Sequence, residues 1–412
     1  MITVTDLLAH VQPLVDQLNA LDPLADFAAF EHELRRIGRE FTAFLAQCQL
    51  DQQRGYDGPY RPCTCGQRLR YHGDRTRTVK TLAGDITLHR AYYRCPGCGA
   101  SQTPLDDRLN LVDGWSPGMA QMAALAGMQL PYRQAADMMR RLAGLNLSAT
   151  AVERLTEHAG VRAERAVAEA EIPDPPPTGE PDTPPPTGPT YVQVDGVMTP
   201  LRDGWAETKL GLVKHPDGRC RYVHHLGGPD ELGQRLRRTA AATGVRDTRS
   251  VVVMGDGAPW IWNLAERYFP AATQIVDWYH VVEHVHETAR ETFGEGDPRG
   301  HAWTTRLRDR LWREGAAGAL DFLARSKYRN RESVQNLQSY LTNNVNRMNY
   351  PAYRRKGLDV GSGSVESGCK QVVQARLKRA GMRWTCRDAS RVIALRCLYL
   401  SNLWDGFTEL AA

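Results

Sequence analysis

Two groupings of residues have types and spacing that could do chemistry. Cys63-Thr-Cys65 and Cys95-Pro-Gly-Cys98 are close cysteine pairs, and four thiolates brought together match what tetrahedral zinc accepts. Gly66 after the first pair, and Pro96-Gly97 inside the second, let the backbone curl tightly enough to chelate. Four sulfurs leave no position for water, so this zinc would organise structure and not catalyse. Cys-x-Cys is tighter than the usual Cys-x-x-Cys. Disulfides are the alternative, disfavoured in a reducing compartment. Cys48, Cys220, Cys369, Cys386 and Cys397 are scattered and read as small apolar residues.

The second grouping is acidic. Tyr191-Val-Gln-Val-Asp195 and Ser250-Val-Val-Val-Met-Gly-Asp256 are apolar runs that each end on an aspartate. A carboxylate at the end of a buried strand is costly unless it is paired or binds a cation. Two of them in neighbouring strands make a divalent-metal site the natural solution. Glu366, in Gly361-Ser-Gly-Ser-Val-Glu366-Ser, is the candidate third acid, with Asp359 and Glu283 as rivals. Ser364 can cap a helix that holds Glu366 in its first turn, where the dipole favours a carboxylate. Lys370 then falls at i+4, so an ordinary salt-bridged Glu has the same signature. Asp277 and His280 could support the site from behind. From 366 to 396, Lys370, Arg376, Lys378, Arg379, Arg383, Arg387, Arg391 and Arg396 face only Glu366 and Asp388. Such a run is either a solvated helix face or a phosphate contact. Trp384, just past Gly381, could stack on an unpaired base or simply be core.

These residues need elements to position them. Residues 77–82 and 86–93 read as a hairpin between the cysteine pairs, turning at Ala83-Gly84-Asp85. Asp22 to Leu50 has apolar residues at helical spacing, suited to packing or self-association. Pro131 to Gly144, a short turn, and a helix capped by Ser148 fit a helix-turn-helix whose second helix would enter a DNA groove. A plain helical hairpin has the same signature, and Glu153, Arg154, Glu157 and His158 are not rich in base-reading groups. Residues 171–189 are a proline-rich spacer. Strands at 191–195, 206–214 and 220–226, a helix at 230–243, a strand to Asp256, a helix to Phe269 and a strand at 273–277 follow. That order is expected of a ribonuclease-H-like core.

Asp195-Gly, Gly255-Asp256-Gly-Ala, Asp277-x-x-His280 and Gly361-Ser-Gly-Ser-Val-Glu366-Ser resemble the DDE transposases of the Mutator-like superfamily. The closest resemblance is to the ISKra group of bacterial insertion sequences. It covers roughly residues 60 to 400, cysteines included. It implies that Asp195, Asp256 and Glu366 bind two Mg²⁺ (or Mn²⁺) ions. It further implies that 281–360 is an all-helical insertion, and the sequence from Val281 to Met348 reads as helices. Water would attack at the element end, and the freed 3′-hydroxyl would then attack target DNA. The implied partners are double-stranded DNA, both ends and target, and further copies of the chain, as a dimer on DNA. Lys370, Arg376, Lys378, Arg379, Arg383 and Trp384 are the expected DNA contacts.

Two other motifs compete. His280-Val-Val-Glu283-His284 matches the His-x-x-Glu-His of inverted zinc metallopeptidases, a reading that leaves Asp195, Asp256 and the four cysteines unexplained. His284-Val-His286 matches the histidine pair of single-strand nickases, but in helical sequence i and i+2 diverge. A regulatory DNA-binding protein descended from a transposase is the remaining alternative, disfavoured by three intact acids.

The expected organisation is a multidomain α+β or α/β chain. It comprises a helical N-terminus (1–60), a zinc ribbon (61–110), a helix-turn-helix-like region (111–170) and the spacer (171–189). Core strands (190–280), the helical insertion (281–360) and C-terminal core helices with the third acid (361–412) complete it. A length of 412 residues suits several domains, and 42% hydrophobic with 24% charged residues is globular. No apolar run spans a bilayer and no secretory signal opens the chain, so a cytoplasmic, nucleoid-associated protein is expected. The net charge of +5 is weak evidence for a nucleic-acid partner.

Overall fold

The structure, a computed structural model, describes residues 4–173 and 188–409. Most of the proline-rich spacer, 174–187, lies outside the described residues. The protein is a multidomain α+β chain with two sheets. Its contacts form two units, one up to Ala159 and one from Gly160 onward, so the division falls inside a helix.

In the first unit, α1 (Val4–Asn19) and α2 (Phe27–Leu50) precede an antiparallel sheet. Asp26 caps α2, its carboxylate accepting from the Ala29 amide at 3.0 Å. The sheet has the order β1 (Tyr60–Pro62), β2 (Arg68–Lys80), β3 (Asp85–Arg94), β4 (Ser101–Gln102). The β2–β3 hairpin is longer than the sequence pattern suggests. Most of β2 is exposed, so it lacks apolar alternation, and a bulge between Tyr71 and Asp74 interrupts its register. Near the turn, Val79, Ile86 and Leu88 pack with Leu105 of α3 (Pro104–Arg108). Near the cysteines the opposite face is buried, through Leu69, Ala91 and Tyr93.

Next come α4 (Pro117–Gln129) and α5 (Tyr132–Met138), the latter running on as a π-helical turn, Met139–Ala143. Gly144 ends that turn at φ 66°, a conformation that suits glycine at a helix C-terminus. The Ser148 hydroxyl then accepts from the Ala151 amide at 3.1 Å and caps α6 (Ala149–Glu169). The helix, turn and capped helix foreseen here are present. Their shared core is Met119, Ala123, Ala135, Val152 and Leu155.

The second unit is built on a five-stranded sheet. β5 (Thr190–Leu201), β6 (Gly204–Lys214) and β7 (Cys220–Leu226) form an antiparallel meander. α7 (Pro229–Ala242) leads to β8 (Val251–Gly255), and α8 (Pro259–Tyr268) leads to β9 (Thr273–Val276). Both added strands run parallel to β5, giving the order β7-β6-β5-β8-β9. Every residue of β8 is buried, so it reads as a continuous apolar run without alternation. Each fully buried valine there contributes roughly 1.5–3 kcal/mol.

Between β9 and the last helices lie α9 (Trp278–Phe293), α10 (Pro298–Ala324), α11 (Glu332–Asn343) and α12 (Tyr350–Arg355). α10 breaks at Gly315, φ 71°, where a Cβ would stand 2.8 Å from the Met348 carbonyl oxygen. α13 (Gly363–Gly368), a π-helical stretch Cys369–Gln374, and α14 (Ala375–Leu377) follow as one run. α15 (Cys386–Leu400) and α16 (Trp404–Glu409) end the unit. A Cβ on Gly211 would meet Leu236 of α7, and one on Gly368 of α13 would meet Leu210 and Tyr222. Leu210 and Gly211 are neighbours on β6 and point to opposite faces. The sheet therefore carries α7 on one face and α13 on the other.

Candidate metal centres

The four cysteines sit in two tight loops at one end of the first sheet. Pro62 pairs with Arg68 across the first loop and Arg94 with Ser101 across the second. Cys63 N–H donates to the Gln67 carbonyl at 2.9 Å and Cys95 N–H to the Ala100 carbonyl at 2.7 Å. Gly66 (φ 84°) and Gly99 (φ 75°) supply the left-handed turns. The Sγ atoms are 3.5 Å apart for Cys63–Cys65, and 3.6 Å for Cys63–Cys98 and Cys65–Cys95. All four lie within 4.8 Å of one another. Zn–S bonds of about 2.3 Å in a tetrahedron set sulfurs about 3.8 Å apart, so the cluster fits a structural metal such as zinc. Amide hydrogen bonds from Cys98 and Gly97 pull Cys95 down to about 6, in the range of a metal-ready thiolate. At Cys65 the Gln67 amide favours the thiolate, but crowding by Cys63, Cys98 and Cys95 outweighs it and pushes the thiol up to about 12. A bound cation would relieve that crowding.

In the second unit, Asp256 and Asp277 directly follow β8 and β9, whereas Asp195 lies in the middle of β5, which runs on to Leu201 and so does not end on the acid as the sequence suggests. The last parallel pair between β5 and β8 is Gln193 with Met254, and Asp195 and Asp256 each follow two residues later. The last pair between β8 and β9 is Gly255 with Val276, and Asp277 follows. Asp195 pairs with Leu210, which places it on the α13 face of the sheet. Its carboxylate accepts from the Gly196 amide at 2.7 Å and from the Cys369 thiol. Burial pushes the Asp195 carboxyl up, the Asp256 charge adds to this, and Cys369, Gly196 and His280 oppose it. The Asp256 carboxylate accepts from the Ala258 amide at 2.8 Å, and its carbonyl accepts from the Tyr340 hydroxyl at 2.8 Å.

Asp277 is 1% exposed. It accepts from the His280 amide at 2.9 Å, pairs with His280 Nδ1 at 3.2 Å, and accepts from the Ser362 amide. Burial works against its charge, but these bonds prevail and hold its carboxyl below the ordinary range. The same pairing pushes His280 up to about 9 against its desolvation, helped by the charges of Asp195 and Asp256. The acids around it thus favour the protonated form of His280.

Glu366 occupies the first turn of α13, as expected, although the residue at the cap is Ser362 and Ser364 lies inside the helix. The Ser362 amide binds Asp277, and the Val365 amide donates to Gln193 Oε1 at 3.1 Å. These two bonds tie α13 to the end of β9 and to the first half of β5. The Glu366 side chain itself is exposed and bound to Lys370 Nζ at 2.7 Å. Among the described residues, the cysteines are the one group of three or more metal-ligating side chains gathered within 4.8 Å.

The basic segment divides. Lys370, Lys378 and Arg383 are exposed, and Arg379 is half-buried with its Nε on the Ala375 carbonyl at 2.8 Å. Arg376 is 1% exposed and its guanidinium lies over the Trp384 ring at 4.7 Å. Trp384 is buried, its indole donating to the Leu377 carbonyl at 3.2 Å. Neither Arg376 nor Trp384 is placed to meet a phosphate or a base, which corrects the expectation for both. A cation run reads as surface in sequence, but a stacked guanidinium with an aliphatic stem can be interior. Arg396 is also buried, capping the Val372 carbonyl at 2.9 Å.

Three residues at the site carried no usable signal. Cys369 looked like a scattered small cysteine, yet it touches Asp195; its place three residues after Glu366 was the only hint. Gln193 and Tyr340 act through long-range bonds that no local pattern announces. The rival motifs fare differently. His280 is committed to Asp277, and His284 packs at a tilt against the Tyr340 ring with centroids 4.3 Å apart. His284 and His286 lie on helix α9, where their side chains diverge. No protein-family profile and no curated protein matches the chain, and no helix among the described residues is long and apolar enough to cross a membrane.

Proposed function

We propose that the protein is a DNA transposase of the DDE type, cleaving phosphodiester bonds at element ends and joining the freed 3′-hydroxyl to target DNA. The observation that carries this reading is the set of aspartates just past the last parallel pairs of three adjacent strands, with Asp195 crowded by burial and by Asp256. Ligands of open α/β sheets bind outside the carboxyl ends of the strands. The strand order β7-β6-β5-β8-β9 and the helices between β9 and α13 support a ribonuclease-H-like core with a helical insertion. They also agree with the resemblance to Mutator-like transposases.

In this reading Asp195, Asp256 and Glu366 hold divalent ions, Mg²⁺ or Mn²⁺. Such ions, when bound, neutralise the phosphate and make a water or hydroxyl nucleophilic near neutral pH. The chain's own part is to present oxygen ligands on rigid elements. The Gly196 amide and Cys369 thiol fix the Asp195 carboxylate. The Ala258 amide fixes that of Asp256. Asp277 holds His280 protonated beside them, where it offsets negative charge before ions or DNA arrive. Glu366, paired with Lys370 at 2.7 Å, would have to leave that pair to serve as a ligand.

That Glu366–Lys370 pair favours a second reading, a DNA-binding protein of the same descent that does not cut. Cleavage of labelled duplexes carrying the sequences that flank the protein's own coding region separates the two. Divalent-dependent cleavage lost in Asp195→Asn, Asp256→Asn and Glu366→Gln, with DNA binding kept, supports the enzyme. Cleavage surviving in Glu366→Gln moves the third acid elsewhere, and no cleavage by the wild type supports the second reading.

A further inference from the structure

The face of the sheet β1–β4 that packs on α3 near the turn, through Ile86 and Leu88, opens towards the cysteine end and there carries an arginine ladder. Alternate residues of a strand share a face, so Arg90, Tyr92 and Arg94 of β3 lie together. Arg75 stands opposite Arg90, and Arg70 opposite Arg94. On the other side of β2, Tyr60 stands opposite Arg70 and Pro62 opposite Arg68. Like charges directly opposite on a sheet repel. The inner pair is neutralised, since Arg90 binds Asp106, which Arg77 also reaches at 3.4 Å. The outer pair has no such help. Arg68, Arg70, Arg75 and Arg94 are exposed, and among the described residues none of them forms an ion pair with an acid. Arg75 lies over the Tyr92 ring at 4.1 Å, and Tyr60 is 50% exposed beside Arg70.

We infer that this face is a separate nucleic-acid contact in the first unit, holding the phosphate backbone of duplex DNA through Arg68, Arg70, Arg75 and Arg94. The ladder runs about 20 Å along the strands at about 3.3 Å per residue, which covers about six phosphates of one strand. Arginine suits the task because its planar fork meets phosphate oxygens two at a time. The contact is independent of base sequence, so it would add affinity wherever the chain meets DNA. This inference rests on the proposed DNA substrate.

The test uses the full chain, with zinc retained and no added divalent cation, and a fluorescent duplex titrated between about 50 and 200 mM salt. Each phosphate-contacting cation contributes about 0.9 to the slope of log K against log salt, so Arg68→Ser with Arg70→Ser and Arg94→Ser should flatten it by about 2.7. The variant should also keep or gain thermal stability at low salt, because it removes a repulsive pair. An unchanged slope with intact binding overturns this inference and leaves the proposed function standing. A loss of stability overturns it too, since the arginines would then be holding the sheet. Absence of DNA binding by the wild type overturns both.

Discussion

His280 pairs with Asp277 through Nδ1 at 3.2 Å and is pushed up to about 9. A histidine whose folded value lies above its unfolded value of about 6.5 stabilises the fold in its protonated form. That stabilisation is complete below about pH 6.5 and is lost as the pH rises through about 9. Asp277 has the opposite sign. Its lowered carboxyl contributes above the unfolded value of about 3.9 and loses that contribution on acidification. The thermal midpoint of the wild type minus that of His280→Gln should therefore be largest near pH 6 and shrink towards pH 10. A difference that is flat or grows with pH would mean His280 is neutral in the fold. Sequence carried the Asp-x-x-His spacing because it is local: Asp277 begins α9 and His280 follows within the first turn. The Ser362 amide that completes the arrangement is 85 residues away from Asp277 and had no local signal.

Among elements, β8 and β9 were legible because each is an apolar run that stops at an acid, and the insertion helices because their apolar spacing is regular; β5 was legible only to Asp195, since the strand continues to Leu201. The first sheet was legible only in part. Glycines and cysteine spacing marked its loops, but an exposed strand with a bulge has neither helical nor strand periodicity. Burial of Arg376 and Trp384 could not be read either, since composition does not say which way a cation points. The cysteine loops make an element-level prediction. Leu69, Ala91, Tyr93, Cys63 and Cys95 form a small core that includes the sulfurs themselves. Metal binding in such a module is coupled to its folding. Cys95→Ser should release the bound metal, measured by elemental analysis, and remove amide-exchange protection from residues 60–102. Full protection in a metal-free Cys95→Ser protein would show that the sheet holds without the cluster.

At the scale of the molecule, a sulfur cluster that fits a metal lies before Ala159, and the carboxylates of the proposed second site lie after Gly160. That separation is not where composition suggested. The proline-rich stretch is the obvious boundary in sequence, yet the contacts divide inside α6, whose residues give no sign of a break. Soft thiolates select zinc and hard carboxylates select Mg²⁺ or Mn²⁺, so the two sites should load and fail independently. The central claim is that Asp195 and Asp256 bind divalent ions. It is tested most directly by titrating Mn²⁺ into zinc-loaded protein with duplex DNA present, following free Mn²⁺ by electron paramagnetic resonance. Saturable binding by the wild type that is lost in Asp195→Asn and in Asp256→Asn, with zinc content unchanged, is the predicted result. Equal Mn²⁺ binding by the wild type and both variants would contradict it.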